Sequence, residues 1–88
     1  MKLKQGLIIT PVGNEHVAVA AGEAGRKFHG MIHMNDTAVY ITELLREERT
    51  EEELCRTVAE YYGITDDVAK AAVRDVLAVL RTEKLLKE

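Results

Sequence analysis

The sequence is poor in residues that cross-link a chain or break its regular structure. Its single cysteine, Cys55, excludes an internal disulfide, so a reducing compartment, the cytoplasm, is the expected location. Its single proline, Pro11, has no backbone donor and belongs on a sheet edge or at a bulge. No apolar run approaches the roughly 18 residues of a membrane span. After the basic start Met1-Lys2-Leu3-Lys4 comes only the short stretch Leu7-Ile8-Ile9-Thr10, which is not a secretory signal. A phosphate-binding loop is also missing: Gly22-Glu23-Ala24-Gly25 has neither the lysine nor the strand-loop-helix setting of one.

What is present is a foldable chain. Its 88 residues predict one domain spanning 1–88, and a hydrophobic fraction of 47% predicts a packed core rather than disorder. A chain this short buries only roughly 60% of its unfolded surface. That leaves little room for a deep enclosed active site and weighs against an enzyme. The net charge of −3 is unevenly placed, with residues 1–34 carrying +2 and the remainder −5. An acidic half is a poor surface for a phosphate backbone, so a nucleic-acid partner is not expected.

The hydrophobic period changes once, near Met34, from that of strands to that of helices. Leu7 to Val12 reads as a strand, Gly13-Asn14 as its turn, and the alternation at Val17 and Val19 as the returning strand of a hairpin. Gly22 to Lys27 reads as a polar loop, anchored by Phe28. Gly30 opens a third short strand, Met31-Ile32-His33-Met34, in which Met31 and His33 share one face and Ile32 and Met34 the other.

Three helices follow, each with a start signal. The first has Asn35 as N-cap, Asp36 at the positive end of its dipole, and Met34 and Val39 placed for a hydrophobic staple. Its inner face is Ala38, Ile41, Leu44 and Leu45, and Arg46 to Arg49 is a solvated turn. The second starts at Thr50 with Glu53 three residues on, a capping box. Its apolar stripe reads Leu54, Val58, Tyr61 and Tyr62, flanked by Cys55 and Ala59, and Gly63 closes it in the left-handed position with Ile64 beyond. The third starts at Thr65 and runs to about Glu83. Its apolar residues, Val68 to Leu80, cover about half the circumference, wider than one neighbour requires. The excess lies around Val68, Ala72 and Val79. Three strands followed by three helices predict an α+β fold of winged helix-turn-helix type, with a three-stranded antiparallel sheet.

Several chemistries fit the residues poorly. His29 and His33 flank a strand, where four extended residues span about 13 Å, too far to share an ion, so no metal is expected. Cys55 sits mid-helix beside an apolar stripe, the setting of a structural thiol rather than a nucleophile. Glu51-Glu52-Glu53 is a helix N-terminal turn. No catalytic residue is assigned. What remains is a short strand with an open edge beside a helix of excess apolar width, which is a physical recipe for binding an extended peptide.

The residue order Met1-Lys2-Leu3-Lys4, Gly30-Met31-Ile32-His33-Met34-Asn35-Asp36-Thr37, Leu44-Leu45, Thr50-Glu51-Glu52-Glu53-Leu54, Tyr62-Gly63-Ile64, Val73-Arg74-Asp75-Val76, Leu80 and Leu85-Leu86 resembles the PqqD family. Its domain is also called the RiPP recognition element, after ribosomally synthesised and post-translationally modified peptides. The resemblance implies that the leader of a precursor peptide adds to the third strand and lies against the third helix. Carried over, Met31, Ile32, His33 and Met34 give backbone pairing and Val68, Ala72, Asp75 and Val79 line the helical side, with Arg74 pairing an acidic leader residue. It also implies that catalysis belongs to a partner, often a radical S-adenosylmethionine (radical SAM) enzyme, and that this chain holds no cofactor. The sequence departs from the family pattern at Thr42, where an aromatic is common, at Lys84, where glycine is common, and in the small Ala18 and Ala20 of the second strand. Two rival readings share the fold: a winged-helix DNA-binding regulator, and a homodimer in which a second copy closes the open edge.

Overall fold

The computed structural model describes residues 1–22 and 30–88. The loop expected at Gly22 to Lys27, apart from Gly22, and its Phe28 anchor lie outside the described residues. The elements are β1 (Lys2–Leu3), β2 (Leu7–Val12), β3 (Glu15–Ala20), β4 (Met31–Met34), α1 (Asp36–Leu44), α2 (Glu51–Tyr62), α3 (Asp66–Thr82) and β5 (Leu86–Lys87). The three strands β2, β3 and β4 form an antiparallel sheet in that order, and the three helices follow, as the periodicity predicts.

Local chemistry accounts for most boundaries. Gly13 and Asn14 are the two residues between Val12 and Glu15, which pair across the hairpin. Residues 10–15 are all exposed, so the hairpin tip stands away from the core as a wing. Each helix opens on its expected cap: Asn35 Oδ1 accepts from the Ala38 amide at 2.8 Å, and Thr65 Oγ1 from the Val68 amide at 3.3 Å. At Thr50 the box closes in both directions, with the Glu53 amide donating to Thr50 Oγ1 at 3.1 Å and the Thr50 amide to Glu53 Oε1 at 3.0 Å. The bond from the Thr50 amide, and after it a side-chain hydrogen bond from Thr50, favours the ionised Glu53 carboxyl and holds it below its ordinary range. Gly63 ends α2 at φ 63°, the left-handed conformation that glycine adopts without a Cβ clash.

Packing centres on α3. Ala69, Val73, Leu77 and Leu80 are wholly buried on one of its faces. Against them pack Leu54 and Val58 of α2, Ile41 and Leu45 of α1, and Leu7, Ala18 and Met34 of the sheet. The small Ala18 is wholly buried in this layer. Thr42, which stands where the family often has an aromatic, is also wholly buried, and its hydroxyl donates to Met34 Sδ at 3.8 Å. The tyrosines differ from their expected place in the apolar stripe of α2. That stripe ends at Val58 and Ala59, while Tyr61 is 63% exposed and stacks on Tyr40 of α1 with ring centroids 4.1 Å apart.

A second sheet was not visible in the sequence pattern. β1 pairs with β5, Lys2 opposite Lys87 and Leu3 opposite Leu86. The Leu3 amide donates to Leu45 O at 2.8 Å, which ties β1 to the end of α1, and the Lys4 amide to Leu85 O at 2.9 Å, which ties it to the C-terminal segment. Gly6 turns the chain from β1 into β2 at φ 104°, where a Cβ would lie 1.9 Å from the Ala21 carbonyl oxygen. Lys84 is the departure with a structural consequence. It takes φ 59° although it is not glycine. That conformation lets the Leu85 amide reach Leu80 O at 2.8 Å and seats Leu85 in the core.

Two outcomes follow for stability. A left-handed residue with a Cβ costs about 1–2 kcal/mol, partly offset by the greater unfolded entropy of glycine. Lys84→Gly is therefore expected to stabilise the fold by about 0.5–1 kcal/mol in denaturant titration, and a loss of stability would show that the lysine side chain contributes a contact of its own. Loss of the Thr50 cap by Thr50→Ala is expected to cost about 1 kcal/mol. The same change raises the Glu53 titration midpoint towards the ordinary range, read by carboxyl NMR. Because its folded-state value is depressed, the contribution of Glu53 is present at neutral pH and disappears as pH falls through that value.

Candidate functional site

β4 is an edge strand. It pairs with β3 through Met34–His16, His33–Val17, Ile32–Ala18 and Met31–Val19, and no other described strand pairs with its far side. In an antiparallel ladder alternate residues turn their N–H and C=O groups towards the neighbour. The residues between turn theirs outward, where they remain available to another chain. The Asn35 cap ends the strand by starting α1 at once.

α3 runs beside this edge. Between them lies a groove of about 300 Å³, with Ile32, His33, Met34, Asn35, Thr37 and Ala38 on one side and Ala72, Asp75, Val76, Val79 and Leu80 on the other. Ile32 and Met34 point inward, Met34 being buried, whereas Met31 and His33 face solvent. Val79 remains 44% exposed and Met31 65%, so large apolar surface borders the groove without a described partner.

Of the residues singled out from sequence, Ile32, His33, Met34, Ala72, Asp75 and Val79 line this groove. Met31 continues the same strand at its exposed end, outside the lining. Val68 lies one helical turn before Ala72, about 6 Å along the axis. It shares the stripe of Ala72, Asp75 and Val79 and is 54% exposed. Arg74 does not share it. At 100° per residue it stands about 200° from Ala72, and its Nε lies 3.7 Å from Glu51 Oε2 of α2. The structure thus places Arg74 on the side of α3 that faces α2, away from the groove. Asn35, Thr37, Ala38, Val76 and Leu80 were not singled out. They enter because α1 begins where β4 ends, so its first turn forms the groove's end wall. The side chains of Val76 and Leu80 lie between the core and the exposed stripe.

The other chemistries can now be placed. His29 lies outside the described residues, so its pairing with His33 has no geometry here. His16 Nε2 lies 2.9 Å from Asp36 Oδ1, and His33 Nδ1 3.6 Å from Glu15 Oε2. Among the described residues no group of three or more His, Cys, Asp or Glu is arranged to hold a metal ion. Cys55 is partly buried, and that burial, with Glu51 nearby, pushes its thiol up and away from the reactive thiolate. The basic side chains on the back of α3 are partly neutralised within the molecule. Arg81 grips Glu88 in a bidentate pair, with Nη2 to Oε1 at 2.9 Å and Nε to Oε2 at 3.1 Å, and Arg74 faces Glu51. No described helix is long and apolar enough to cross a membrane.

Comparison with known proteins agrees with this geometry. The family described as "Coenzyme PQQ synthesis protein D (PqqD)" matches residues 15–86, which include β3, β4 and all three helices. No curated protein matches the chain. A solved structure described as "TbiB1 in Complex with the TbiA(beta) Leader Peptide" is similar in fold, with a TM-score of 0.72 over 99% of this chain and 95% of that one at 20% sequence identity. The family match spans well over half of the sequence and the architecture agrees with it: the chain belongs to the PqqD family.

Proposed function

We propose that the protein is a non-catalytic adaptor that binds the leader of a ribosomally made precursor peptide and presents it to a modifying enzyme. The observation that carries this reading is the open edge of β4 alongside an apolar groove on α3. Added as a fourth strand, an extended peptide satisfies the outward N–H and C=O groups of Met31 to Met34. Its side chains on the helical side then enter the space bounded by Ala72, Val76 and Val79. That the similar fold of TbiB1 has been solved with a leader peptide supports the same class of ligand for this chain.

Tethering the leader raises the effective concentration of the adjoining core segment at an enzyme's active site, without any chemistry in the adaptor. The modifying enzyme supplies the catalysis, and the family resemblance favours a radical SAM protein, whose iron–sulfur clusters would be its own.

The test is titration of a synthetic leader, taken from a precursor encoded near this protein's gene, into isotope-labelled protein. Amide shifts are expected at Met31–Met34 and along Val68–Val79, saturating at micromolar peptide. Ala72→Arg places a long charged side chain in the groove at a half-exposed position, and is expected to weaken binding at least roughly tenfold, about 1.4 kcal/mol, with thermal unfolding unchanged. Shifts confined to other surfaces would overturn the reading. So would a stable dimer that closes the β4 edge and takes up no peptide. Salt-sensitive shifts on adding duplex DNA, in place of a peptide response, would favour the regulator instead.

A further inference from the structure

We infer that the peptide bound in this groove carries a lysine or arginine seated against Asp75, an inference that rests on the leader-binding reading and narrows it. Asp75 lines the groove among apolar neighbours, Ala72, Val76 and Val79 of its own helix and Ile32 and Ala38 opposite. Among the described residues its carboxylate has neither an ion-pair nor a hydrogen-bond partner. In the peptide-free protein water solvates it, since the residue is exposed. A peptide laid over the groove removes much of that water. A carboxylate left covered and unpaired is strongly unfavourable, so a bound chain must bring its own donor.

The charges around the groove favour a cationic donor over a neutral one. The cations of α3, Lys70, Arg74 and Arg81, lie about 100–140° around the helix from Asp75, on faces turned away from the groove. Arg74 and Arg81 are also engaged by Glu51 and Glu88. Among the described residues His33 is the one lining side chain able to carry positive charge, and its Nδ1 faces Glu15. Among the described residues a peptide carboxylate would therefore meet Asp75 with no fixed cation to offset it, whereas a lysine or arginine pairs with it in a partly dehydrated setting. This reverses the polarity that an Arg74-centred site would have had: the basic partner comes from the peptide and the acidic one from the protein. A strand in the groove presents every second side chain to the helix, so the basic residue occupies one fixed position relative to the residues paired with β4.

The probe is a displayed library of random twelve-residue peptides, selected in parallel on the intact protein and on Asp75→Asn. Binders are synthesised, and those whose amide shifts fall on Met31–Met34 are kept. The expected result is a lysine or arginine at one position in binders to the native protein, with affinity falling roughly tenfold to a hundredfold on Asp75→Asn. Asp75→Lys should then prefer glutamate or aspartate at that position. Asp75 is exposed, so both variants are expected to keep the native unfolding temperature. Groove binders that lack a basic preference, or that bind Asp75→Asn equally well, overturn this inference and leave the leader-binding reading intact. A library that yields no peptide shifting Met31–Met34 overturns both.

Discussion

The burial of one face of α3 is the constraint on which the rest of the molecule depends. Ala69, Val73, Leu77 and Leu80 have no exposure, and the sheet, the other two helices, Leu3 and Leu85 all meet around them. Each fully buried leucine is worth roughly 1.5–3 kcal/mol of transfer free energy, a large share of the total in a domain this small. The apolar stripe of α3 is wider than this core uses. Ala72, Val76 and Val79 continue it round the helix onto the side of β4, where the core stops and the groove begins. The same helix thus anchors the fold with one edge of its stripe and lines the groove with the other.

An open strand edge is ordinarily a hazard, because unpaired backbone groups invite pairing with any other strand. Here the edge is short, four residues, and ends abruptly at the Asn35 cap. Such an edge is long enough to hold a segment of peptide and too short to template an extended sheet. Selectivity must then come from side chains, and the groove contributes two kinds: apolar space to be filled, and the single carboxylate of Asp75 to be matched. In the proposed complex, backbone pairing would supply affinity that is indifferent to sequence, and these side chains the discrimination.

Features written in local chemistry were legible from the sequence. Asn35, Thr50 and Thr65 cap their helices because the donors they satisfy lie three residues away, and Gly63 ends α2 for a similarly local reason. The alternation in Met31 to Met34 and the excess width of α3 foretold two walls of the groove. Non-local features were not legible. The pairing of Lys2–Leu3 with Leu86–Lys87 joins segments too short to show a period, from opposite ends of the sequence. Tyr61 keeps helical spacing with Leu54 and Val58, yet it lies beyond the core because Tyr40 of α1 meets it at the surface. Arg74 is a different case. The helical period puts it across the axis from Ala72, on one flank with Lys70 and Arg81, and that flank faces α2 rather than β4. Asn35 and Thr37 could have been found from the absence of any linker between β4 and α1.

The central claim is that a peptide completes the sheet at β4, and hydrogen exchange at the amides of Met31 to Met34 tests it most directly. In the free protein those amides that turn away from β3 should exchange quickly, and saturating leader peptide should slow them at least roughly tenfold as they acquire backbone partners. The account is contradicted if the peptide binds and these amides exchange as fast as before, because the ligand would then be held without the edge that the fold leaves open.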